Sequence, residues 1–191
     1  MTIERDTVVI VDVESTCWEN EEEAKQNTSE IIEIGVCTLD ITSGKPDKKR
    51  SIFVKPTEST ISPFCTQLTT ITPEMVEESG IAFADACQIL EDDYQTKSQM
   101  WLSWGNYDRN MFITQCERQK VSYPYSTHHC NLKNLFANFY GNRMGLEQAL
   151  ATINLKLEGT HHRGDDDAWN IARVLSHLLD EHGREILETF W

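Results

Sequence analysis

Long apolar runs are missing from this sequence. The most hydrophobic stretch, residues 31–39, is far shorter than the roughly 20 residues that a membrane-spanning helix needs. The first residues, MTIERD, lack a basic segment followed by an apolar one, so we expect no secretory signal. The sequence therefore predicts a protein that does not associate with a membrane.

Paired cysteines are also missing. The six cysteines are scattered along the chain, and none forms a CxxC motif. Cys37, Cys87 and Cys116 fall in apolar segments, where a free thiol behaves as a small hydrophobic side chain. Scattered free thiols are typical of a reducing compartment, and we expect a cytoplasmic location.

The motifs of several common protein classes are absent. Neither G-x-x-x-x-G-K nor G-x-G-x-x-G occurs, which argues against a phosphate-cradling NTPase. No G-x-S-x-G elbow supports a serine hydrolase. The histidines at 128, 129, 161 and 162 form adjacent pairs, which lack the ligand spacing of a structural zinc site.

Positive charge is scarce in this chain. Its 31 acidic residues outnumber 17 lysines and arginines, for a formal net charge of −14. Such a surface does not hold nucleic acid by broad neutralisation of phosphates. An enzyme acting on nucleic acid is not excluded, because bound metal ions reverse the local charge at a carboxylate site. We expect weak, short-footprint binding, assisted by basic side chains from Lys48, Lys49, Arg50, Lys55 or Arg163.

The length of 191 residues suits one domain, covering residues 1–191. Turn signals and apolar patterning predict strands at residues 7–12, 30–40, 50–54, 100–104 and 123–130. They predict helices at residues 72–80, 83–94, 108–119, 132–140, 146–153 and 167–181. Residues 19–29 and 55–68 are expected to be irregular. Hairpin-linked strands followed by alternating strands and helices indicate a mixed α/β sheet with helices on its faces.

Two acids end the first predicted strand, in the segment VVIVDVE. Alternate side chains of a strand share a face, so Asp12 and Glu14 point the same way. Close like charges raise each other's pKa unless a cation lies between them, and Mg²⁺ takes oxygen ligands of this kind. A strand that simply runs into an acidic turn is the structural alternative.

Two further acids, Asp108 and Asp167, stand at the start of predicted helices, each at the head of an apolar stripe. The helix dipole favours an anion there by roughly 0.3–1 kcal/mol. That gain does not offset the several kcal/mol lost when an unpaired charge leaves water. Either acid could instead be an N-cap that faces solvent, and this alternative stays open.

Four acids at strand ends and helix starts can converge on one pocket of an open α/β sheet. A pair of divalent ions about 3.5–4 Å apart would neutralise them and clamp a scissile phosphate. Such a site also needs a general base, and HHRGDDDA supplies a candidate. Both His161/Asp166 and His162/Asp167 fit the spacing H-x-x-x-x-D, so the spacing leaves two choices.

Three segments, DVEST, WGNYDRN and HHRGDDDAWNIARV, together resemble the exonuclease motifs of the DEDDh (DnaQ-like, RNase T-like) 3′–5′ exonucleases. SEIIEIGVCTLD and QLTTITPEMVEESG resemble that family's second strand and the loop and helix after its third strand. The resemblance is strongest to the histone-mRNA and RNA-interference 3′ exonuclease branch. It spans about residues 7–180.

This resemblance implies a single domain with a ribonuclease H-like, mixed five-stranded sheet flanked by helices, and two bound Mg²⁺ or Mn²⁺ ions. In the family pattern Asp12 contacts both ions, Glu14 and Asp167 bind the first, and Asp108 binds the second. The pattern also selects His162 as the general base. The implied reaction is hydrolysis of a single-stranded nucleic acid from its 3′ end, releasing nucleoside 5′-monophosphates, with RNA preferred to DNA.

Substrate-binding positions follow from the same resemblance. Leu68 matches an apolar wedge beside the terminal bases, and Tyr107 and Phe64 match positions where an aromatic ring stacks on the 3′ base. Ser15 and Thr16, directly after the first two acids, are expected to contact the substrate as well. Tyr107 departs from the pattern, because related sequences often have Trp there, and we expect altered base packing.

A second hypothesis is a non-catalytic nucleic-acid or protein-binding module on the same fold. All five catalytic positions are filled, and a binding module gains nothing from four uncompensated acids. This favours the enzyme. The sequence names no protein partner.

Overall fold

The computed structural model describes residues 6–191. The first five residues, which bear on the expectation of no secretory signal, lie outside that range. The strands are β1 (Thr7–Ser15), β2 (Ile31–Asp40), β3 (Lys45–Phe53), β4 (Met100–Ser103) and β5 (His129–Asn131). The helices are α1 (Glu21–Gln26), α2 (Pro63–Thr69), α3 (Pro73–Ser79), α4 (Phe83–Tyr94), α5 (Tyr107–Gln119), α6 (Leu132–Tyr140), α7 (Leu146–Thr152) and α8 (Gly164–His182), followed by a 3₁₀ helix (Arg184–Phe190).

The strands form a mixed five-stranded sheet in the order β3-β2-β1-β4-β5. β1 is antiparallel to β2, with Asp12 opposite Gly35, and parallel to β4. The predicted mixed sheet flanked by helices is therefore confirmed. The central position of β1 explains its unbroken apolar run, because both faces of this strand are covered.

Alternate residues of β1 enter two different cores. Val8 and Ile10 pack in the core that includes the apolar side of α8. Val9 and Val11 pack in the other core, formed with α4 and α5. Burial on both faces fixes the register of β1, and so fixes where its terminal acids emerge.

Several predicted segments were wrong in type or extent. Residues 21–26, predicted irregular, form α1, because the Asn20 side chain caps the helix by accepting from the Glu23 N–H. Residues 63–69, predicted irregular, form α2, because Ser62 caps the helix by accepting from the Cys65 N–H and Pro63 takes the first helical position. β3 begins at Lys45, before Pro46, which an edge strand tolerates.

The fifth strand is also shorter than predicted. Only His129–Asn131 pairs with β4, instead of residues 123–130. The Tyr125 ring stacks on Trp101 with 4.2 Å between centroids, so the segment before β5 fills part of the hydrophobic core and does not pair as a strand. Among the helices of the described part of the chain, none has the length and apolar character needed to cross a membrane.

Candidate active site

One cleft of about 390 Å³ lies where the carboxyl ends of β1 and β4 meet the first turns of α5 and α8. Of the predicted site residues, it is lined by Asp12, Glu14, Ser15, Leu68, Tyr107, Asp108, His162 and Asp167. His161 also lines it. The fold therefore brings together residues that are up to 155 positions apart in the chain, from Asp12 to Asp167.

Two predicted substrate residues lie elsewhere. Thr16 is fully buried, and its hydroxyl accepts from the Glu30 N–H and lies 2.9 Å from the Ser59 hydroxyl. Phe64 is partly exposed on α2 but is not among the residues that line the cleft. Their contact with substrate stays a prediction, and the position of Thr16 favours a packing role.

Asp108 and Asp167 do not face solvent as simple helix caps, since each side chain is almost fully buried. Asp108 Oδ1 accepts from the Val13 N–H at 3.0 Å, which ties α5 to the strand that carries the other acids. Asp167 Oδ2 accepts from the His162 N–H at 2.9 Å. Both carboxylates thus point inward, toward Asp12 and Glu14.

Burial and mutual repulsion raise the pKa values of these carboxyls. Loss of hydration, followed by the charges of Asp167 and Glu33, raises the pKa of Glu14 to about 8. The pKa of Asp12 is raised well above its ordinary value by burial and then by Asp108 and Glu14. Burial raises the pKa of Asp108 to about 6 and also raises that of Asp167. The protein without a cation therefore holds four carboxyls that resist ionisation together.

The donor set fits a divalent cation. Carboxylate oxygens of Asp12, Glu14 and Asp167 lie within 4.8 Å of one another, and so do ligand atoms of His161, His162 and Asp167. Carboxylate oxygens are the ligands that Mg²⁺ and Mn²⁺ prefer. A cation among them would remove the repulsion that raises their pKa values.

The two adjacent histidines differ in their contacts. His161 Nδ1 lies 3.1 Å from Asp167 Oδ2, whereas His162 contacts this carboxylate through its backbone N–H. Their rings stack with centroids 3.9 Å apart, and His162 adopts a left-handed backbone with φ of 61°. Burial and the neighbouring His161 lower the pKa of His162, so its imidazole is neutral near pH 7 and able to accept a proton.

A buried ion pair holds the start of α8 against the sheet. Glu33 of β2 is fully buried and accepts from Arg163 Nη2 at 2.9 Å and from the Gly164 N–H at 2.8 Å. Ser51 of β3 donates to the same carboxylate. Because Arg163 directly follows His162, this contact fixes the loop that carries the histidines. Sequence reasoning missed this role of Glu33.

We expect Glu33→Ala to lower the free energy of unfolding by about 3 kcal/mol, because it leaves Arg163 without its buried partner. Urea denaturation measures the change. Arg50→Ala is the matched control: its pair with Asp93 is exposed, and its loss should cost under about 1 kcal/mol. Equal losses in the two variants would contradict a special role for Glu33.

Fold and site together define an α/β domain in which four acids and two histidines meet at the ends of parallel strands. The family model described as "RNase_T: Exonuclease" matches residues 9–175, and the chain belongs to this exonuclease family. The solved nuclease domain of 3′hExo, described as a DEDDh family member bound to rAMP, is 27% identical with a TM-score of 0.83, and 93% of each chain is covered. This similarity confirms the DEDDh resemblance and the ribonuclease H-like fold.

Curated relatives agree with this assignment. The chain is 28% identical to ERI1 exoribonuclease 2 of Xenopus laevis over 197 residues, covering 90% of this chain and 28% of that protein. It is 27% identical to human 3′-5′ exoribonuclease 1 over 188 residues, covering 92% of this chain and 53% of that protein. The chain thus spans between about a quarter and a half of the length of these relatives.

Proposed function

We propose that this protein is a metal-dependent 3′–5′ exonuclease that releases nucleoside 5′-monophosphates from single-stranded RNA. The observation that carries this proposal is the convergence of four inward-facing acids and a neutral histidine in one cleft. The names of the relatives, two exoribonucleases, support RNA over DNA as the substrate. A binding module would carry the cost of these acids without benefit.

Asp12, Glu14 and Asp167 would hold a first Mg²⁺ or Mn²⁺ ion, and their carboxylate oxygens lie within 4.8 Å of one another. In the family pattern Asp108 would hold a second ion together with Asp12. When bound, such ions neutralise the scissile phosphate, orient it and acidify water. His162 would accept the proton of the attacking water, and its lowered pKa keeps it ready for this near pH 7. The hydrogen bonds from Val13 and His162 to Asp108 and Asp167 hold both carboxylates in place.

The exposed walls of the cleft suit the 3′ end of a strand. Tyr107 and Leu68, 54% and 40% exposed, line the same cleft as the acids. An aromatic face stacks on any base, which suits a sequence-tolerant enzyme. The Tyr107 hydroxyl lies 2.6 Å from the Ser15 hydroxyl, which fixes the ring next to the acids of β1.

A labelled-end experiment tests the proposed function. With Mg²⁺ or Mn²⁺, a 3′-labelled oligoribonucleotide should release labelled mononucleotide at once, whereas a 5′-labelled one should shorten stepwise. EDTA should stop both the release of labelled mononucleotide and the stepwise shortening. Internal fragments from the outset would indicate an endonuclease, and binding without any cleavage would favour the non-catalytic module. Matched RNA and DNA strands measure the preference between them.

Tyr107→Ala should weaken binding of the 3′ end by about 1 kcal/mol or more, because the stacking surface is lost. The substrate Kd, measured by fluorescence anisotropy with Ca²⁺ in place of the catalytic ion, reports this change. Tyr107→Phe keeps the ring and should bind nearly as well as the wild type. An unchanged Kd for Tyr107→Ala would contradict the stacking role.

We also propose that the protein acts in the cytoplasm. The scattered thiols of the sequence, with no CxxC pair, support this location. Fractionation of cells that express the full chain tests it, and recovery in a membrane or secreted fraction would overturn it.

A further inference from the structure

The basic side chains that the sequence suggested for substrate binding are already engaged. Ion pairs join Lys49 to Asp165, Arg50 to Asp93, Lys55 to Glu77 and Arg163 to Glu33. Lys48 donates to the backbone oxygen of Asp93. A substrate strand would have to compete for these cations, so they are poor phosphate ligands.

A second cleft adjoins the catalytic one and shares two of its walls, Trp104 and Tyr107. It has a volume of about 420 Å³. We call it the basic cleft and define it by its lining residues Trp104, Gly105, Asn106, Tyr107, Lys133 and Arg143. Among residues 6–191, no acidic side chain lines the basic cleft. The catalytic cleft is lined by four acids, and the whole chain has a net charge of −14.

Its two cations are available to a ligand. Within residues 6–191, neither Lys133 nor Arg143 forms one of the ion pairs that hold most of the other basic side chains. Arg143 is exposed and Lys133 is partly exposed. Unpaired cations of this kind attract phosphate groups.

The segments that carry these cations are fixed to the catalytic turn. Trp104 Nε1 donates to the Met144 carbonyl at 3.1 Å, which holds the loop of Arg143 against the end of β4. Asn131 Nδ2 donates to Asn106 Oδ1 at 3.0 Å, which holds the start of α6, with Lys133, beside the start of α5. The cleft is therefore built onto the same turn that presents Tyr107 and Asp108.

We propose that Lys133 and Arg143 bind backbone phosphates of the substrate strand on the 5′ side of the terminal nucleotide. The inference rests on the proposed exonuclease function. A 3′ end stops in the catalytic cleft, so a nucleotide that reaches the basic cleft past Tyr107 belongs to the 5′ part of the strand. The protein then favours strands of several nucleotides over dinucleotides.

The test compares wild-type protein with the double variant K133Q/R143Q on two substrates, an oligouridylate of about 12 nucleotides and the dinucleotide UpU, which has no 5′-phosphate. We expect the KM for the longer strand to rise about tenfold. The slope of log KM against log salt should fall by about 1.4, because each single-strand phosphate contact contributes roughly 0.7. The KM for UpU, whose only phosphate is the scissile one, should move by less than about twofold.

The double variant K120Q/K156Q is the matched control. It changes the net charge equally at two exposed lysines outside both clefts, and it should keep the wild-type KM. Equal KM changes in both double variants, or KM changes of equal size for UpU and the longer strand, would overturn the inference. If the wild-type protein is active and K133Q/R143Q keeps the wild-type KM for the longer strand, the inference is overturned and the proposed function stands. Wild-type protein inert on both substrates would overturn the proposed function, and the inference with it.

Discussion

Asp12→Ala is expected to reduce turnover of a 3′-labelled RNA by about a thousandfold or more, because its carboxylate belongs to both proposed cation sites. Steady-state release of mononucleotides with saturating Mg²⁺ or Mn²⁺ measures the loss. Asp47→Ala is the matched control, since Asp47 is also an acid on a strand but is exposed on edge strand β3. Undiminished turnover in Asp12→Ala would refute the assignment of the site.

The same variant should be more stable than the wild type when no cation is present. Raised carboxyl pKa values mean that the folded state keeps protons which the unfolded state releases, so stability is lost as pH rises. For Glu14 this window runs from 4.5 to about 8. Removing Asp12 relieves part of the repulsion, so the Tm difference in EDTA should grow between pH 5 and pH 8. If the Tm difference between the variant and the wild type does not change with pH, repulsion between the carboxylates is not the cause of the added stability.

His162→Ala is expected to lower the rate by roughly 10²–10⁴, the usual contribution of a general base. His161→Ala should cost much less, although His161 is the histidine whose ring contacts Asp167. The structure makes this comparison informative, because the two rings stack and both line the cleft. Single-turnover rates with saturating enzyme separate the chemical step from binding.

Added imidazole provides a second readout for the same pair. A missing proton acceptor is replaceable in part by free imidazole, whereas a missing structural contact is not. We therefore expect imidazole to restore part of the rate of His162→Ala and to leave His161→Ala unchanged. If His161→Ala loses more rate than His162→Ala and is the variant that imidazole restores, the general base is His161.

Local patterns of the sequence predicted the four acids that line the site, whereas Ser15, Leu68, Tyr107 and the choice of His162 came from the family resemblance. The apolar run before Asp12 identified a buried strand, and the apolar stripes behind Asp108 and Asp167 indicated that both acids face inward, as their burial shows. Such signals work because strand and helix periodicity are properties of neighbouring residues. The structure keeps both His161 and His162 in the cleft, so the choice of base still rests on family resemblance and on the experiment above.

Contacts between distant segments could not be predicted in this way. Glu30 and Glu33 fall in the apolar strand predicted at residues 30–40, where the sequence alone offers no reason for two buried acids. Glu30 accepts from the backbone N–H groups of Thr57, Glu58 and Ser59. The partners of Glu33 at the start of α8, Arg163 and Gly164, lie 130 and 131 residues further on. A buried charge needs a partner, so an acid in an apolar strand predicts a buried contact. This signal would have pointed to the contacts of Glu30 and Glu33.

Strand β2 and the start of α8 approach each other closely at two residues that have no side chain, Gly35 and Gly164. A methyl group added to Gly35 would lie 1.8 Å from the Gly164 carbonyl carbon, and one added to Gly164 would lie 2.8 Å from the Gly35 nitrogen. Gly35 is the neighbour of Asp12 across the sheet, and Gly164 stands one helical turn before Asp167. The separation between the acids of β1 and Asp167 is thus set by bare backbone, and a single alanine at either glycine would act as a spacer that pushes Asp12 and Asp167 apart.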